Sequence, residues 1–217
     1  MRIKELVIEI TRKCNAACPH CMRGPAQTRN MAFNTITTML NGITRIDMVT
    51  FTGGEPSLAV DRIRYFHDQI RARNIKLGGF YVITNGKYAS IDLVTALDDL
   101  HADTTDGNSV LIVSKDQYHK DKNPRIESLY STCSFYRPEG FTYEIPVKEG
   151  RSQEGREAFL NPILVTDGYI ESTVYVNALG DVITSCEMSY DTQKINTIGN
   201  VNKEPLYDII THYLERT

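Results

Sequence analysis

Three cysteines near the amino terminus could hold a metal centre. Cys14, Cys18 and Cys21 lie in the pattern C-x3-C-x2-C, directly after a short apolar run. Cysteine thiolates hold iron–sulfur clusters, and three of them can bind three irons of a cubane cluster while the fourth iron stays open. An iron with an open position can bind a substrate or cofactor. The triplet therefore predicts a catalytic cluster rather than one that only carries electrons.

Two other interpretations of the triplet are weaker. Free cysteines are often small core residues, but core positions follow a helix or strand period, and this spacing follows neither. Zinc is the stronger alternative, because His20 could supply a fourth ligand. Structural zinc sites usually combine two separated pairs of ligands, and no second Cys/His pair of that kind occurs downstream. His20 would also crowd the cysteines on either side of it, so we favour the cluster.

The composition is that of an ordinary globular protein. The chain has 217 residues, of which 41% are hydrophobic and 24% charged, long enough for one domain with a full core. Its 24 Lys and Arg against 27 Asp and Glu give a net charge of −3, which indicates no broad cationic face for nucleic acid. Charged residues interrupt the apolar amino-terminal stretch, unlike in a signal peptide, and no run approaches a membrane helix. We therefore expect a cytoplasmic protein with reduced thiols and an oxygen-sensitive cluster.

The first 135 residues alternate apolar strands with amphipathic helices. The predicted strands, rich in Val, Ile and aromatic residues, are 3–10, 48–52, 80–84 and 109–114. The apolar stripes of the predicted helices are Ile36, Met39, Leu40 and Ile43; Ile63, Phe66 and Ile70; Leu93, Val94 and Leu97; and Ile126, Leu129 and Tyr130. The candidate starting residues are Asn34, Asp61, Ser90 and the pair Asn123-Pro124. Such repeats imply a parallel sheet with right-handed crossovers.

Polar motifs follow each of the four predicted strands. They are Cys14–Cys21, then Thr52-Gly53-Gly54-Glu55-Pro56, then Thr84-Asn85-Gly86, and then Ser114-Lys115-Asp116. The carboxyl ends of parallel strands meet at one rim of the sheet, where ligands bind. We therefore expect these side chains to line a single site.

The pattern weakens after residue 135. It predicts strands at 142–147 and 162–165, an exposed loop at 150–155, and a hairpin of strands 169–176 and 182–186 around Leu179-Gly180-Asp181. A final amphipathic helix is marked by Pro205, Leu206, Ile209, Ile210 and Tyr213. We divide the chain into a core, 1–165, and a hairpin-plus-helix extension packed on it, 166–217.

The order and spacing of the motifs resemble those of the radical S-adenosylmethionine (SAM) superfamily. The likeness rests on C-x3-C-x2-C, Gly-Gly-Glu-Pro and Thr-Asn-Gly after successive strands, over roughly the first 120 residues. It implies an α/β fold, a partial (β/α)6 TIM-like barrel, with one [4Fe-4S] cluster whose open iron is chelated by the amino and carboxylate groups of SAM. In that family an injected electron cleaves the sulfonium C–S bond, and the resulting 5′-deoxyadenosyl radical abstracts hydrogen from a substrate. A site for such a radical should exclude water.

The resemblance also implies roles for the rim residues. Cys14, Cys18 and Cys21 would ligate the cluster, and Glu55 would hold the methionine ammonium by a charge-assisted hydrogen bond. The other cofactor-binding candidates are His20 near the adenine, Gly53 and Gly54 for close backbone approach, Thr84 and Asn85 for polar groups, and Ser114 and Asp116 for the ribose. For these a purely structural role stays open, such as a tight turn, an Asn-Gly turn or a cap.

Substrate contacts are harder to assign. The segment 115–125 is locally basic and lies at the same rim, where it could recognise phosphate or carboxylate or simply form a solvated loop. Tyr118 and His119 are candidate substrate contacts by position alone.

The carboxyl-terminal tail resembles a reduced form of the auxiliary-cluster (SPASM/twitch-like) tail of peptide-modifying members. Residues 174–186 and 198–201 carry this likeness. Those tails contain several cysteines, whereas only Cys133 and Cys186 remain here, and two thiolates do not normally complete a second cubane. We therefore expect no auxiliary cluster. Cys186 is either a hydrogen donor at the active site or, as we favour, a structural remnant.

The motif set favours a radical enzyme over a non-catalytic iron–sulfur or zinc-binding module, because a binding module needs no cofactor-chelating Glu55. The tail favours a peptide or protein substrate. The basic segment and the small size favour a nucleoside or nucleotide, including one in nucleic acid, and a glycyl-radical activase is a third option. Because the chain has no second redox centre, we expect an external flavodoxin- or ferredoxin-like electron donor and no membrane partner.

Overall fold

A largely parallel sheet organises the protein in the computed structural model, which describes residues 1–119, 124–138 and 143–216. The strands are β1 (Arg2–Thr11), β2 (Arg45–Gly53), β3 (Lys76–Thr84), β4 (Val110–Val113), β5 (Val165–Thr166), β6 (Tyr169–Val176), β7 (Asp181–Ile183) and β8 (Thr197–Asn200). The helices are α1 (Phe33–Met39), α2 (Val60–Ala72), α3 (Ile91–Ala102), α4 (Pro124–Tyr130), α5 (Tyr190–Ile195) and α6 (Leu206–Leu214). A 3₁₀ turn at Pro56–Leu58 precedes α2.

The strand order places β1 at the centre of the sheet. The neighbours β4-β3-β2-β1-β6 are all parallel. The strands β7 and β8 continue the sheet antiparallel, and β5 pairs antiparallel with β6. The sheet stays open, with β4 and β8 outermost among the described strands. The expected α/β partial barrel is confirmed. The hairpin β6–β7 belongs to the same sheet, and the division of the chain near residue 165 stays a prediction.

Burial on both faces explains the apolar run Leu6-Val7-Ile8 in the second half of β1. Leu6 and Ile8 belong to the main core, together with apolar residues of α1, α2 and α3. Val7 points to the opposite face, where it packs with Tyr175 and Ile183. Because strand side chains alternate between faces, β1 carries the main core on one side and the polar, cavity-facing side of the sheet on the other.

The first half of the chain matches its predicted elements, although two helix starts differ. Ser90 caps α3 as predicted, since its side chain accepts a hydrogen bond from the Leu93 N–H at 3.1 Å. The prediction that Asn34 caps α1 is wrong, because Ala32 occupies that position and Asn34 lies in the first turn. Asp61 likewise lies within the first turn of α2, where a carboxylate stabilises the helix dipole.

Packing rather than capping sets the start of α1. Phe33, its first residue, packs its ring against Tyr65 of α2 with 4.7 Å between centroids. The Arg62 guanidinium also lies over the Phe33 ring, with its central carbon 4.4 Å from the ring centroid. The same helix ends at Met39, so Ile43 lies beyond it. Asn123, the predicted cap of α4, lies outside the described residues.

The second half departs further from the sequence prediction. Residues 143–146 form no strand, residue 142 lies outside the described residues, and 162–164 are extended without strand pairing. The strand β7 ends at Ile183 rather than reaching Cys186. The helix α5 and the strand β8 were not predicted. These elements are only six and four residues long, too short for a periodic signal, and their pairing depends on distant parts of the chain.

Candidate functional site

The carboxyl ends of the parallel strands open onto one cavity of about 520 Å³, a size typical of ligand pockets. The predicted site residues that line it are Cys14, Cys18, His20, Cys21, Gly53, Gly54, Glu55, Asn85, Ser114, Asp116 and His119. Thr84 and Tyr118 stand behind this lining, in contact with Glu55 and His20. Cys186 does not line the cavity. The fold therefore brings residues from the ends of four strands into one site.

The three cysteines lie in the loop directly after β1. The Cys21 N–H donates to the Cys18 carbonyl at 3.2 Å, and the Cys21 carbonyl accepts from the Arg151 N–H at 2.9 Å. All three are partly buried free thiols. Burial, followed by the negative charge of neighbouring groups, raises the pKa of Cys14 and Cys18. Thiolates at Cys14 and Cys18 are thus disfavoured unless a multivalent cationic centre binds them.

Gly53 and Gly54 allow the loop after β2 to lie directly against the cysteine loop. The Gly54 N–H donates to the Thr11 carbonyl and the Glu55 N–H to the Lys13 carbonyl, both at 2.8 Å. A Cβ at Gly53 would lie 2.0 Å from the Thr11 oxygen, and one at Gly54 would lie 2.0 Å from the Lys13 oxygen. Gly53 also has a φ of +138°, which favours glycine. These glycines therefore have a packing role, and their contact with a cofactor stays a prediction.

Glu55 is a buried carboxylate held by three donors. It is 1% exposed. Its Oε1 accepts from the Ser57 N–H at 3.1 Å and the Thr84 hydroxyl at 2.7 Å, and its Oε2 accepts from the Asn85 N–H at 2.8 Å. A carboxylate can accept about four hydrogen bonds, so one position remains on Oε2. No described Lys, Arg or His forms an ion pair with Glu55. Such a carboxylate is suited to an incoming ammonium.

Asn85 connects Glu55 to the cysteine loop. Besides its backbone bond to Glu55, its Nδ2 donates to Asn15 Oδ1 at 2.9 Å and lies 3.8 Å from Cys14 Sγ. Thr84, which is 1% exposed, donates its hydroxyl to Glu55. In this arrangement Thr84 orients the carboxylate, while Asn85 faces the cavity.

His20 forms an aromatic surface at the cavity wall. Its ring stacks on Tyr118, with 3.8 Å between centroids and 17° between planes. His119 meets it edge-on at 5.4 Å. Burial, and then repulsion from His119, lowers the pKa of His20. Its Nδ1 is buried and has no hydrogen-bond partner among the described residues. A buried polar atom without a partner points to a missing ligand or water.

Asp116 and His119 are hydrogen-bonded to each other in the turn after β4. His119 Nδ1 lies 2.9 and 2.8 Å from the two Asp116 carboxylate oxygens. Burial opposes ionisation of Asp116, but hydrogen bonds from His119 and from the Tyr118 N–H lower its pKa overall. His119 Nε2 faces Cys18 Sγ at 3.6 Å. Ser114 lines the same cavity, and the predicted ribose contacts of Ser114 and Asp116 stay predictions.

The two remaining cysteines lie apart from each other. Cys133 belongs to the main core and is 5% exposed, and burial raises its pKa to about 11. Cys186 packs beside Tyr175 and Met188 on the other face of the sheet, where burial also raises its pKa. A raised pKa favours the protonated thiol in both cases, and the two roles considered for Cys186 stay predictions.

Charged residues that the sequence analysis did not single out also line the cavity. Arg156 pairs with Glu187 through two hydrogen bonds, one of them 2.7 Å from Nη1 to Oε2. Arg23 is 5% exposed and donates to the Met188 carbonyl at 2.6 Å. The position of Arg23 just after the cysteine triplet indicates from sequence alone that it lies near the site. Arg156 and Glu187 lie 31 residues apart, so no local sequence pattern indicates that they pair.

A buried polar network lies beneath the cysteine loop. Glu9 Oε1 accepts from Arg12 Nε at 2.6 Å and from the Ala178 N–H at 3.1 Å. Glu9 Oε2 accepts from the Tyr175 hydroxyl at 2.6 Å and from Gln193 Nε2 at 3.1 Å. All four acceptor positions of this carboxylate are filled. The network ties the end of β1 to β6 and α5, and so anchors the base of the cysteine loop.

The donor set of this cavity fits an iron–sulfur cluster together with SAM. Three thiols within one loop suit a cubane cluster with one open iron. Beside them lie a buried carboxylate and an imidazole, and within the described part of the chain one acceptor position of the first and one nitrogen of the second have no partner. These match an ammonium and a heteroaromatic base, two of the groups that SAM carries.

Comparison with solved structures identifies the fold. The structure of anSMEcpe with bound AdoMet and Cp18Cys peptide matches with a TM-score of 0.64 and 12% identity, over 96% of this chain and 80% of that one. Streptococcus suis SuiB bound to precursor peptide SuiA matches with a TM-score of 0.58 and 12% identity, over 95% of this chain and 64% of that one. Both neighbours are radical SAM enzymes. At this identity the likeness establishes the fold and not the activity.

No model of a protein family and no curated protein matches the sequence. Among the described residues, none of the helices has the length and apolar character to cross a membrane.

Proposed function

We propose that this chain is a radical SAM enzyme that acts on a peptide or protein. One observation carries the proposal: the fold brings three partly buried thiols to the walls of one cavity, together with a buried carboxylate that has no cationic partner among the described residues. The fold shared with anSMEcpe and SuiB supports it. A non-catalytic binding module would not need the buried carboxylate of Glu55.

Each part of the cavity has a separate task in this proposal. Cys14, Cys18 and Cys21 hold a [4Fe-4S] cluster. When bound, that cluster would supply the electron for reductive cleavage of SAM, and so the radical chemistry needed to remove a hydrogen atom from the substrate. Glu55 binds the methionine ammonium through the free position on Oε2, and the buried Thr84 hydroxyl keeps it in that orientation. The ring of His20 lies beside the adenine.

Among the described residues, the charges around the cavity favour a peptide substrate over a nucleotide. Arg156 is neutralised by Glu187, and Lys115, in the basic rim segment, pairs with Glu127. Apolar Ile83, 43% exposed, and Ile145, 71% exposed, form part of the opening. Such a wall suits a chain with mixed apolar and polar side chains better than a polyanion. The neighbours that bind a Cp18Cys peptide and a precursor peptide add support.

The test is anaerobic formation of 5′-deoxyadenosine. The protein is reconstituted with iron and sulfide, reduced with dithionite and supplied with SAM, and the product is quantified by chromatography and mass spectrometry. We expect 5′-deoxyadenosine from the wild type and from Cys186→Ala, and none from Cys18→Ala, which cannot hold the cluster. Full iron in Cys18→Ala would refute the ligand assignment.

A cluster-loaded wild type that forms no 5′-deoxyadenosine, even with candidate peptides present, would favour the binding-module alternative. With an active protein, deuterated peptides identify the substrate by transfer of deuterium into 5′-deoxyadenosine. We also propose an external flavodoxin- or ferredoxin-like electron donor. Reduced flavodoxin should then replace dithionite in the same assay.

A further inference from the structure

A chain of two hydrogen-bonded side chains ends on one of the cluster-binding thiols. Asp116 binds His119 Nδ1 at 2.8 and 2.9 Å, and His119 Nε2 lies 3.6 Å from Cys18 Sγ. Neither Cys14 nor Cys21 has a side chain of this kind against its sulfur among the hydrogen bonds of the described residues; the Asn85 amide reaches Cys14 only at 3.8 Å. Among the described residues, Cys18 is thus the proposed cluster ligand that has an imidazole against its sulfur.

A tight turn after β4 holds this chain in place. Asp116 Oδ1 accepts from the Tyr118 N–H at 2.8 Å and from the His119 N–H at 3.0 Å, and the Asp116 carbonyl accepts from the His119 N–H at 3.1 Å. The side chains of Asp116 and His119 are only 7% and 11% exposed. With both carboxylate oxygens on the same ring nitrogen, the imidazole cannot rotate freely. Its second nitrogen therefore stays directed at Cys18.

The protons follow from this geometry. An ionised carboxylate only accepts hydrogen bonds, so Nδ1 of His119 carries a proton that points at Asp116. Nε2 is then the ring atom directed at Cys18 Sγ, and a thiolate that binds iron would accept a hydrogen bond from a proton on this nitrogen. The ring of His20 meets the same imidazole edge-on.

We propose that His119, positioned by Asp116, donates a hydrogen bond to the Cys18 thiolate and raises the reduction potential of the cluster. This inference rests on the proposed function. A hydrogen bond to a ligating sulfur withdraws negative charge and stabilises the reduced, more negative cluster. His119 is then a positioning residue for electron uptake rather than a substrate contact.

The test is a potentiometric titration of the reconstituted cluster without SAM, followed by electron paramagnetic resonance. We expect His119→Leu to keep its iron and to lower the midpoint potential. Removal of a hydrogen bond to a charged group changes the reduction equilibrium by up to about tenfold, equal to about 59 mV for one electron. His119→Gln keeps an N–H donor and should restore most of the potential.

His212→Leu is the matched control, because His212 lies in α6 and pairs on the surface with Glu204. It should leave the potential unchanged. An unchanged potential in His119→Leu with full iron would overturn the inference. Loss of iron in both His119 variants would also overturn it and make His119 a metal ligand or a folding residue. A wild type that holds no cluster refutes the proposed function itself, so the two failures are distinguishable.

Discussion

Replacement of Glu55 by glutamine tests the cofactor site directly. Glu55→Gln conserves shape but removes the negative charge that would bind the SAM ammonium. Of the three donors around the carboxylate, the Ser57 and Asn85 N–H groups cannot turn into acceptors, whereas the Thr84 hydroxyl can. The amide therefore places its oxygen toward one N–H and its NH2 toward the other, which leaves one buried N–H unpaired.

The substitution should change both the free energy of unfolding and the affinity for SAM. The unpaired buried N–H lowers the free energy of unfolding by about 1–3 kcal/mol. The lost charge-assisted hydrogen bond to the ammonium costs about 1.5–3 kcal/mol of binding free energy, so SAM should bind roughly 10- to 150-fold more weakly. The first effect is measured by denaturant unfolding without cofactor, and the second by calorimetric SAM binding to the cluster-loaded protein under anaerobic conditions.

Glu5→Gln is the matched control. Glu5 also accepts hydrogen bonds from threonine hydroxyls, those of Thr50 at 3.2 Å and Thr173 at 2.6 Å, but it lies near the start of β1. The substitution makes the same change in net charge away from the cysteine loop. We expect unchanged SAM affinity. The reasoning fails if Glu55→Gln with full iron binds SAM as tightly as the wild type, or if both variants weaken binding equally.

Three further perturbations test the framework of the site. Gly54→Ala places a Cβ 2.0 Å from the Lys13 carbonyl and should lower the free energy of unfolding by about 1–3 kcal/mol while weakening iron retention, measured by denaturant unfolding and iron content. Arg12→Ala leaves the Glu9 carboxylate, 0% exposed, without its cation, and should cost about 3–5 kcal/mol of unfolding free energy. Cys133, with its pKa raised to about 11, stays protonated at pH 8 and should react with iodoacetamide only after unfolding, as mass spectrometry will report.

Gly107 provides a control for the Gly54 variant. Gly107→Ala meets nothing within 4 Å and has a φ of +65°, so it carries backbone strain alone and should spare iron retention. Equal loss of iron in Gly54→Ala and Gly107→Ala would remove the packing argument. An Arg12→Ala protein as stable as the wild type would show that the other hydrogen bonds to Glu9 are enough to stabilise its buried charge. Rapid alkylation of Cys133 in the folded protein would contradict its place in the core.

The raised pKa of Cys133 also predicts the sign of a pH effect. The thiol is harder to ionise in the folded state, so its contribution to stability is complete below pH 9, the ordinary value, and is lost as the pH rises toward about 11. Comparison of wild type and Cys133→Ala across this range isolates the effect, since the variant has no thiol to titrate at this position. Identical pH dependence in the two proteins would refute it.

Local sequence patterns were enough to predict the parts of the site that each strand delivers. The cysteine triplet, the Gly-Gly-Glu-Pro loop and the Thr-Asn-Gly turn each follow an apolar strand, and the strand–helix alternation places all of them at one rim. The cap at Ser90 was equally predictable, because its hydrogen bond reaches only three residues along the chain. These features depend on neighbours in sequence, and a single sequence contains that information.

Contacts between distant residues were not predictable in the same way. The strands from β1 to β4 lie side by side in chain order. The strand β6, in contrast, pairs with β1 on the opposite side from β2. Nothing in the alternation of apolar residues indicates which edge of a sheet a later strand will join. The same limit applies to Arg156 and Glu187, which meet only after the tail folds back across the cavity.

The chemistry of individual side chains depends even more on three-dimensional placement. The sequence by itself identified Glu55, Thr84 and Asp116 as polar residues at the rim. Only the tertiary structure decided that Thr84 orients Glu55, that Asp116 binds His119 rather than leaving its oxygens open, and that His119 faces Cys18 across 101 residues of sequence. The physical reason is that hydrogen bonds act over about 3 Å and depend on direction. A strand pattern places a residue at a rim, but only the packed backbone sets which atoms lie within that distance.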